Sequence, residues 1–510
     1  MFRSKVLLLA AGGVLLAGLA TWTVRAADKG KADATAADDH EWMLPRAAWK
    51  TPFKDDVPIL FVNRNQNPTE WDALKAFWNP TTVQDVDPAT GAKVTRQAVK
   101  IKVPLGLTSN PPVPPENPMT VAKWKLGKQL YCDGILSSDN SVSCMTCHNP
   151  ERGFTDQSEV STGIFGNKGG VSAPTVYNSA YSLLQFWDGR ATSLEDQSQG
   201  PPQNALEMFS GEGHAWRGVV KRLREKPEYV VQFKKVFGTL PTRDTVAKAI
   251  AAYERTVLTG NAVHDRAELA MRKRLAEDDS GTAKAELTAA DYLTVLKEAF
   301  AKKDTNALTV LHLDPVKDAD NAEKVGAVAK SIANGRALFF GKARCNGCHI
   351  GDSFTDSAFH NLGVGAKDGK LPKDAAGRYG AQPPGHKDPE AFGAFKTPTL
   401  RQLIATAPYM HNGSERSLEE VINFYDRGGN ANPYLDIRMR DEAAERAWRK
   451  AKADGTEYSG PKVHVFDGKP IVPLELKLTA QEKKDLVFFM RALQGDPADP
   501  IVADPKMMPK

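Results

Sequence analysis

The sequence predicts a mainly α-helical protein in which two domains of the same design follow one another along the chain. The pattern Cys-x-x-Cys-His occurs twice, at residues 144–148 and 345–349. Each copy comes after a segment with the apolar spacing of an amphipathic helix, and these segments end in the similar stretches GKQLY (127–131) and GRALF (335–339). A shared motif with shared flanks indicates that a whole structural unit is duplicated.

The segments after the two motifs repeat in the same order. Each motif is followed by FTD, a Pro-Thr pair, a stretch ending in Ser-Leu-Glu and a final helical pattern. The first half has them at 154–156, 174–175, 187–195 and 244–258, and the second at 354–356, 398–399, 411–419 and 479–493.

The repeated motif is the attachment pattern of c-type haem, in which two thiols bond the porphyrin and the histidine binds iron. A zinc or redox CxxC is the simpler alternative, but two copies with shared flanks favour two cytochrome c-like haem domains. The fifth cysteine, Cys132, has no disulfide partner and is predicted to be a small buried apolar residue. The attachment residues are Cys144, Cys147 and His148 for haem 1, and Cys345, Cys348 and His349 for haem 2.

Length and composition are those of an ordinary globular protein. The 510 residues are 41% hydrophobic and carry a net charge of +5, which leaves room for two or three domains. A charge this small, without basic runs interleaved with aromatic residues, argues against nucleic acid as a partner.

The N-terminus has the pattern of an export signal. A short basic start precedes an apolar run from residue 6 to residue 21, and small residues follow near 26. The run is shorter than the roughly 20 residues that a bilayer requires, so we expect a cleaved signal and no membrane span. An uncleaved anchor is the alternative. Because bacteria attach covalent haem outside the cytoplasm, the predicted location is the periplasm.

Further segments surround the two predicted domains. A proline-rich polar stretch is expected to form an irregular extension around the core, and a charged, alanine-rich stretch to form an inserted helical hairpin. The predicted order is a signal peptide (1–26), an N-terminal extension (27–118), the first haem domain (119–262), the helical insert (263–330), the second haem domain (331–497) and a tail (498–510).

The two halves differ where a second axial ligand of the iron would lie. An occupied axial site favours electron transfer, whereas an open one lets the iron bind a substrate. Fourteen residues after His411 comes Tyr425, whose phenolate can bind ferric iron, and the same count from Trp187 reaches Pro201, which has no donor group. We therefore expect haem 2 to be closed and haem 1 to be open. The alternative is that Tyr425 is a packed aromatic residue and Met410 is the ligand.

Residues near Pro201 offer acid–base chemistry. Splitting the O–O bond of a peroxide requires a group that moves a proton from the inner to the outer oxygen. Glu207 and Gln197 flank Pro201, and a carboxyl group in an apolar pocket has the raised pKa that a proton shuttle needs. The spacing equally allows Glu207 to be a surface residue without a role.

Taken together, the motifs resemble those of the bacterial dihaem cytochrome c peroxidase and MauG superfamily. The resemblance covers residues 119–262 and 331–497 and implies a peroxidatic first haem, an electron-transfer second haem and a calcium ion between the domains. It rests on LGKQLY, SCMTCHNPERGFTD, PTVYN, FWDGRATSLEDQ, NALEM, CNGCHIGDSFTD, FHNLGV, KTPTLR, TAPYMHNGS and FYDRGG, in that order.

The resemblance also implies roles for single residues. Tyr425 falls where peroxidases of this family have an axial methionine and where MauG-like members have an axial tyrosine. The other implied roles are proximal ligation by His148 and His349, an inter-haem position for Trp187, a distal pocket of haem 1 formed by Gln197, Pro201 and Glu207, and calcium binding by the carbonyl oxygens of Thr406 and Pro408.

Two positions depart from the family pattern. Typical members cap resting haem 1 with a histidine, and Ile164 stands at that position, so haem 1 should need no reductive activation. The family's calcium-binding asparagine is replaced by Ser172, and a hydroxyl is a weaker calcium ligand than an amide oxygen.

The remaining histidines carry less information. His360 is expected to be a structural hydrogen-bonding residue near haem 2, and His411 either tunes that haem or packs beside it. No motif surrounds the others, which are predicted to be surface or loop residues: His40, His214, His264, His312, His386 and His464.

The predicted function is reduction of hydrogen peroxide at haem 1, with electrons delivered to haem 2 by a small cytochrome c or cupredoxin. One alternative is a MauG-like enzyme that uses peroxide to oxidise residues of a partner protein. Another is a pure electron carrier with both irons closed, which Pro201 argues against. The sequence leaves the oligomeric state open, with a homodimer as one alternative.

Overall fold

The computed structural model describes residues 56–282, 284–372 and 375–509, so the predicted signal peptide, His40 and the start of the N-terminal extension lie outside the described residues. Helix dominates, as predicted. The helices are α1 (Pro68–Ala73), α2 (Val121–Cys132), α3 (Cys144–Cys147), α4 (Leu194–Gln197), α5 (Ala215–Arg224), α6 (Pro227–Phe237), α7 (Arg243–Glu254), α8 (Val263–Ala276), α9 (Ala289–Ala301), α10 (Thr305–Thr309), α11 (Ala322–Phe339), α12 (Gly377–Ala381), α13 (Leu418–Asp426), α14 (Glu442–Asp454), α15 (Ala480–Ala492) and α16 (Pro500–Ala503). The strands are β1 (Ile59–Val62), β2 (Trp78–Val86), β3 (Lys93–Lys102), β4 (Phe359–His360), β5 (Phe395–Lys396), β6 (His464–Phe466) and β7 (Lys469–Ile471).

Each half of the chain is built on one closely packed pair of helices, α2 with α7 and α11 with α15. A Cβ atom at Gly127 would lie 1.8 Å from the carbonyl oxygen of Ala249, and one at Gly335 would lie 1.9 Å from that of Asp485. Only glycine permits so close an approach of two backbones. This contact explains why GKQLY and GRALF both begin with glycine.

Two large hydrophobic clusters form the interior. The first joins α2 and α7 with α5 and α6, and the second joins α11 and α15 with α8 and α9. The predicted insert boundary at residue 330 falls within α11, which runs through this position without a break. Asn321 caps α11 by accepting from the Lys324 N–H, and buried residues continue from Val325 to Phe339.

The prediction of an irregular N-terminal extension was also wrong for residues 59–102. β2 pairs antiparallel with β3, and β1 pairs parallel with β3. Ile59, Val99 and Ile101 bury their side chains in the first cluster. The period-two alternation of apolar and polar residues in β3 is the sequence signal for this sheet.

The residues predicted as a C-terminal tail are packed against the first cluster. Lys128 is buried, and its Nζ donates to the carbonyl oxygens of Ile501, Asp504 and Met507 at 2.6–2.7 Å. The Tyr253 hydroxyl donates to a fourth carbonyl of this segment. None of the helices within the described ranges has the length and hydrophobicity needed to cross a bilayer.

Candidate active site

A cavity of about 300 Å³ lies in the second half of the molecule. Cys345, Cys348 and His349 line it, and so does Tyr425 from α13. Trp187 enters its wall from the first half. The residues assigned to haem 2 therefore share one cavity, and Trp187, which is predicted to lie between the haems, lines the same cavity.

The two histidines of the repeated motif are held in the same way. Nδ1 of His349 lies 2.8 Å from the carbonyl oxygen of Phe354, and Nδ1 of His148 lies 3.3 Å from that of Phe154. With the proton on Nδ1, Nε2 is left to bind iron. Burial lowers the pKa of His349 to about 4 and lowers the pKa of His148 as well, so both imidazoles are neutral, as metal ligands must be.

The repeated Pro-Thr pair supports this arrangement. The Thr175 hydroxyl donates to the carbonyl oxygen of Gly153 at 2.6 Å, and the Thr399 hydroxyl donates to that of Ser353 at 2.8 Å. Each accepting residue precedes the phenylalanine whose carbonyl orients a proximal histidine. The threonines thus fix the loop behind each iron site, a role that sequence reasoning missed.

The donor set fits two covalent haem c groups. None of the five cysteines, all of them among the described residues, is in a disulfide, and four stand in pairs beside an oriented neutral histidine. Burial raises the pKa of Cys345 to about 12 and that of Cys132 to about 11. Cys132 is half-buried beside the first cluster and has the low reactivity expected of it.

His360 lies in the wall of the same cavity, between two carboxylates. Its Nδ1 is 2.7 Å from Asp436 and its Nε2 is 2.9 Å from Asp356. Burial lowers its pKa, but the hydrogen bonds, with that to Asp436 first, outweigh burial and raise the pKa to about 10. The expectation of a structural hydrogen-bonding residue near haem 2 is confirmed.

The segments around Trp187 and His411, from which the two axial positions were counted, adopt the same hairpin in both halves. Gln185 pairs with Ala191, and Tyr409 pairs with Glu415. Serine caps follow, at residues 193 and 417, but α4 has four residues and α13 has nine. The longer α13 carries Tyr425 to the cavity, whereas in the first half α4 ends at Gln197, before Pro201. Met410, the alternative axial ligand, lines the cavity as well.

Glu207 is half-buried beside the haem 1 attachment site. Burial raises its pKa, against the opposing effects of Arg190 and of Asn204. The amide of Asn204 donates to the Glu207 carboxylate at 2.6 Å. After burial, the Glu207 charge is one of the influences that raise the pKa of Cys147, to about 11. The neighbouring Met208 belongs to the first cluster, against which the attachment residue Cys144 packs. Sequence reasoning missed Asn204, although NALEM contains it.

Successive turns connect the other predicted pocket residues to Glu207. The carbonyl oxygen of Gln197 accepts from the Gly200 N–H at 2.9 Å, and that of Pro201 accepts from the Asn204 N–H at 3.0 Å. Gln197 and Pro201 are both partly buried. Among the residues that the structure describes, no hydrogen bond joins Gln197 to Glu207.

Ile164 packs directly on the Glu207 segment. It is 1% exposed and belongs to the first cluster, and its N–H donates to the Glu207 carbonyl oxygen at 3.0 Å. The position at which the family's capping histidine is expected is therefore filled by an apolar side chain.

Trp187 is held by one contact within the first half and joined to the second half by two more. Its indole N–H donates to the carbonyl oxygen of Ser172 at 2.9 Å, and its own carbonyl oxygen accepts from the Lys396 N–H at 2.8 Å. Its ring lies 6.4 Å from the His411 ring, which stacks on Phe395 at 3.5 Å. His411 is thus a packed aromatic residue of the haem 2 cavity.

The residues implied for calcium lie beside the same wall. Pro408 and Thr406 line the cavity. No backbone N–H in the described ranges donates to their carbonyl oxygens. Ser172 donates its hydroxyl to the Met410 carbonyl oxygen at 3.2 Å.

The surface prediction for His264 was wrong. This residue is 4% exposed, because α8 packs into the second cluster. His214, His312 and His386 are exposed, and His464 is half-exposed.

The mainly α fold and its two histidine–dithiol sites define a dihaem c-type redox protein. The di-haem cytochrome c peroxidase family model matches residues 121–273. A cytochrome-c peroxidase of Pseudomonas sp. (strain SCT) is 32% identical over 421 residues, covering 78% of this chain and 87% of the relative. Methylamine utilization protein MauG of Methylorubrum extorquens is 30% identical over 427 residues, covering 82% of this chain and 91% of the relative.

A solved structure of a MauG-like protein associated with microbial copper homeostasis gives a TM-score of 0.52 at 26% identity, covering 78% of this chain and 96% of that one. The chain belongs to the di-haem cytochrome c peroxidase and MauG family. It is an oxidoreductase of the cytochrome-c peroxidase type, and the family implies two haem c cofactors.

Proposed function

We propose that the protein reduces hydrogen peroxide at haem 1 in the periplasm, with electrons that a small cytochrome c or cupredoxin delivers to haem 2. The observation that carries this proposal is the position of Glu207. Asn204 holds its carboxylate, and its segment packs through Ile164 and Met208 into the cluster against which the haem 1 attachment residue Cys144 lies. In the proposal, residues 119–262 and 331–497 are the two haem domains.

The bound haem supplies the redox chemistry, and the protein supplies the proton transfer. Glu207 takes the proton from the inner oxygen of the peroxide and returns it to the outer one, which leaves as water. Asn204 holds the carboxylate in place through its 2.6 Å hydrogen bond. Pro201 has no donor atom that would compete for the iron, and Gln197 supplies a polar group beside it.

Ile164 keeps this pocket ready for peroxide. Because it has no imidazole, it does not bind the iron, and its backbone hydrogen bond to Glu207 fixes the loop in place. We therefore propose that haem 1 reacts without prior reduction.

Electrons or oxidising equivalents pass between the halves at Trp187, whose indole is fixed by Ser172. We also propose that a calcium ion, bound by the carbonyl oxygens of Thr406 and Pro408, stabilises the contact between the two halves near Trp187.

Tyr425 favours a second candidate, a MauG-like enzyme that oxidises residues of a partner protein. A tyrosinate ligand stabilises a higher oxidation state of iron than a thioether does, so haem 2 could hold an oxidising equivalent. The wall position of Tyr425 in the haem 2 cavity supports this candidate.

Steady-state turnover distinguishes these functions. Peroxide consumption by the haem-loaded protein should rise with the concentration of a reduced small cytochrome c and reach saturation, because haem 2 accepts its electrons. If the reduced cytochrome has no effect and only a protein substrate sustains turnover, the MauG-like function replaces the peroxidase. If peroxide persists under both conditions, the proposal is wrong.

Tyr425→Phe should convert haem 2 from low-spin to high-spin and raise its reduction potential, because phenylalanine has no donor for ferric iron. Electron paramagnetic resonance of the oxidised native protein should show one high-spin and one low-spin haem, and the variant should lose the low-spin signal. The control is Tyr434→Phe, since Tyr434 packs on Phe392 away from the cavity lining. An unchanged spectrum for Tyr425→Phe would identify this tyrosine as a packed aromatic residue.

A further inference from the structure

Helices α8 and α9 carry a buried tyrosine–histidine pair. The Tyr292 hydroxyl lies 2.9 Å from Nδ1 of His264, and the two residues are 0% and 4% exposed. The other ring nitrogen of His264 lies 3.7 Å from a carboxylate oxygen of Glu268, whose side chain is 37% exposed. The phenol thus faces a base, and that base faces a group that reaches solvent.

Aromatic contacts connect this pair to haem 2. The His264 ring lies 5.8 Å from the Phe354 ring and 5.3 Å from the Phe489 ring. The carbonyl oxygen of Phe354 holds Nδ1 of His349, the proximal ligand, at 2.8 Å. Two residues, His264 and Phe354, therefore bridge Tyr292 and the ligand of the second iron.

His264 is in the state needed to accept a proton. Its pKa is lowered to about 3, mainly by burial, which Asp265 opposes and to which Arg336 and Arg401 add. The imidazole is therefore neutral. In the tautomer with its proton on Nε2, the nitrogen that faces the Glu268 carboxylate at 3.7 Å, Nδ1 accepts from the Tyr292 hydroxyl.

We propose that Tyr292 is a redox-active tyrosine that gives one electron to the haem 2 side of the enzyme while its phenolic proton moves to Nδ1 of His264. The products are a neutral tyrosyl radical and an imidazolium. The oxidant is hydrogen peroxide, whose reduction leaves two oxidising equivalents in the enzyme, one of which moves to Tyr292. The arrival of an electron from the donor restores the phenol, and the proton returns from His264.

The burial of Tyr292 decides what such a radical does. A phenol with no exposed surface does not touch a protein substrate, so the site serves as an internal store. It holds an oxidising equivalent away from the haem edge when the donor is scarce. The proposal takes its natural oxidant from the proposed peroxidase function, so its test also uses an oxidant that needs no peroxide chemistry.

The test is freeze-quench electron paramagnetic resonance of the haem-loaded protein without reductant, oxidised in one arm by hydrogen peroxide and in the other by hexachloroiridate(IV). The native protein should give a tyrosyl signal that narrows when its tyrosine ring protons are replaced by deuterium. Tyr292→Phe should abolish it. His264→Gln should slow its appearance by about 100-fold, the lower end of the effect of losing a positioned base.

Tyr229→Phe is the matched control. Tyr229 is 2% exposed and donates to the Asp133 carboxylate at 2.7 Å, so it too is a buried phenol with a base, but it belongs to the first cluster. Its loss should leave the signal unchanged. A signal that depends on Tyr292 in the hexachloroiridate arm alone supports the redox site while removing the peroxidase function. No tyrosyl signal in either arm, or a signal that survives Tyr292→Phe, overturns the proposal.

Discussion

Glu207→Gln should slow cleavage of the peroxide O–O bond by about 100- to 10,000-fold, the usual contribution of a positioned acid–base group. This corresponds to about 3 to 5 kcal/mol of barrier at roughly 1.36 kcal/mol per tenfold. The substitution keeps the shape of the side chain and its contact with Asn204, but it removes the titrating proton. Peroxide should therefore still enter the pocket, and only the chemical step should slow.

Stopped-flow mixing with peroxide measures this step through the Soret band of haem 1. In the native protein the rate should fall as pH drops through the raised pKa of Glu207, because only the carboxylate form accepts the first proton. The variant should lose this pH dependence. Glu212→Gln, an exposed glutamate on the same loop, is the control and should react at the native rate. A native rate for Glu207→Gln would transfer the shuttle role to Gln197.

The duplicated pattern made much of the architecture predictable. Gly127 and Gly335 occupy the same place in the two helix pairs because both positions need backbone contact without a Cβ atom. The carbonyl oxygens of Phe154 and Phe354 likewise orient both proximal histidines. Repeated residues were informative because each repeated contact requires the same residue type.

Features that occur once were harder to predict. The sheet of β1–β3 has no counterpart among the described residues of the second half, so only its short alternation of polar and apolar residues marked it. His264 has no motif around it, and its burial depends on packing between α8 and the second cluster, which includes Phe489, more than 200 residues further along the chain. The role of Asn204 depends on a turn that aims its amide at Glu207. Distant packing and turn geometry of this kind leave little periodic signal.

Arg401→Met should lower the free energy of unfolding by about 3 to 5 kcal/mol, the usual cost of removing one partner from a buried ion pair. Arg401 and Asp265 are joined by two hydrogen bonds of 2.8 and 2.9 Å, and their side chains are 1% and 3% exposed. The guanidinium also donates to the carbonyl oxygens of Asp352 and Gly106. Removing it leaves a buried carboxylate at the start of α8 with no cation and frees three segments of the chain from one another.

Urea unfolding of the haem-loaded protein measures the effect. If the slope of the unfolding free energy against urea concentration is unchanged, the shift in the midpoint concentration reports a change in stability. Arg416→Met is the matched control, because Arg416 forms a 2.8 Å ion pair with Glu159 on the surface, where both side chains are more than half exposed, and such pairs contribute little. The double variant Arg401→Met with Asp265→Leu should recover much of the loss, since replacing both buried charges with apolar groups removes the unpaired carboxylate. If the double variant is as unstable as Arg401→Met, the hydrogen bonds to Asp352 and Gly106, rather than the unpaired charge, hold these segments together.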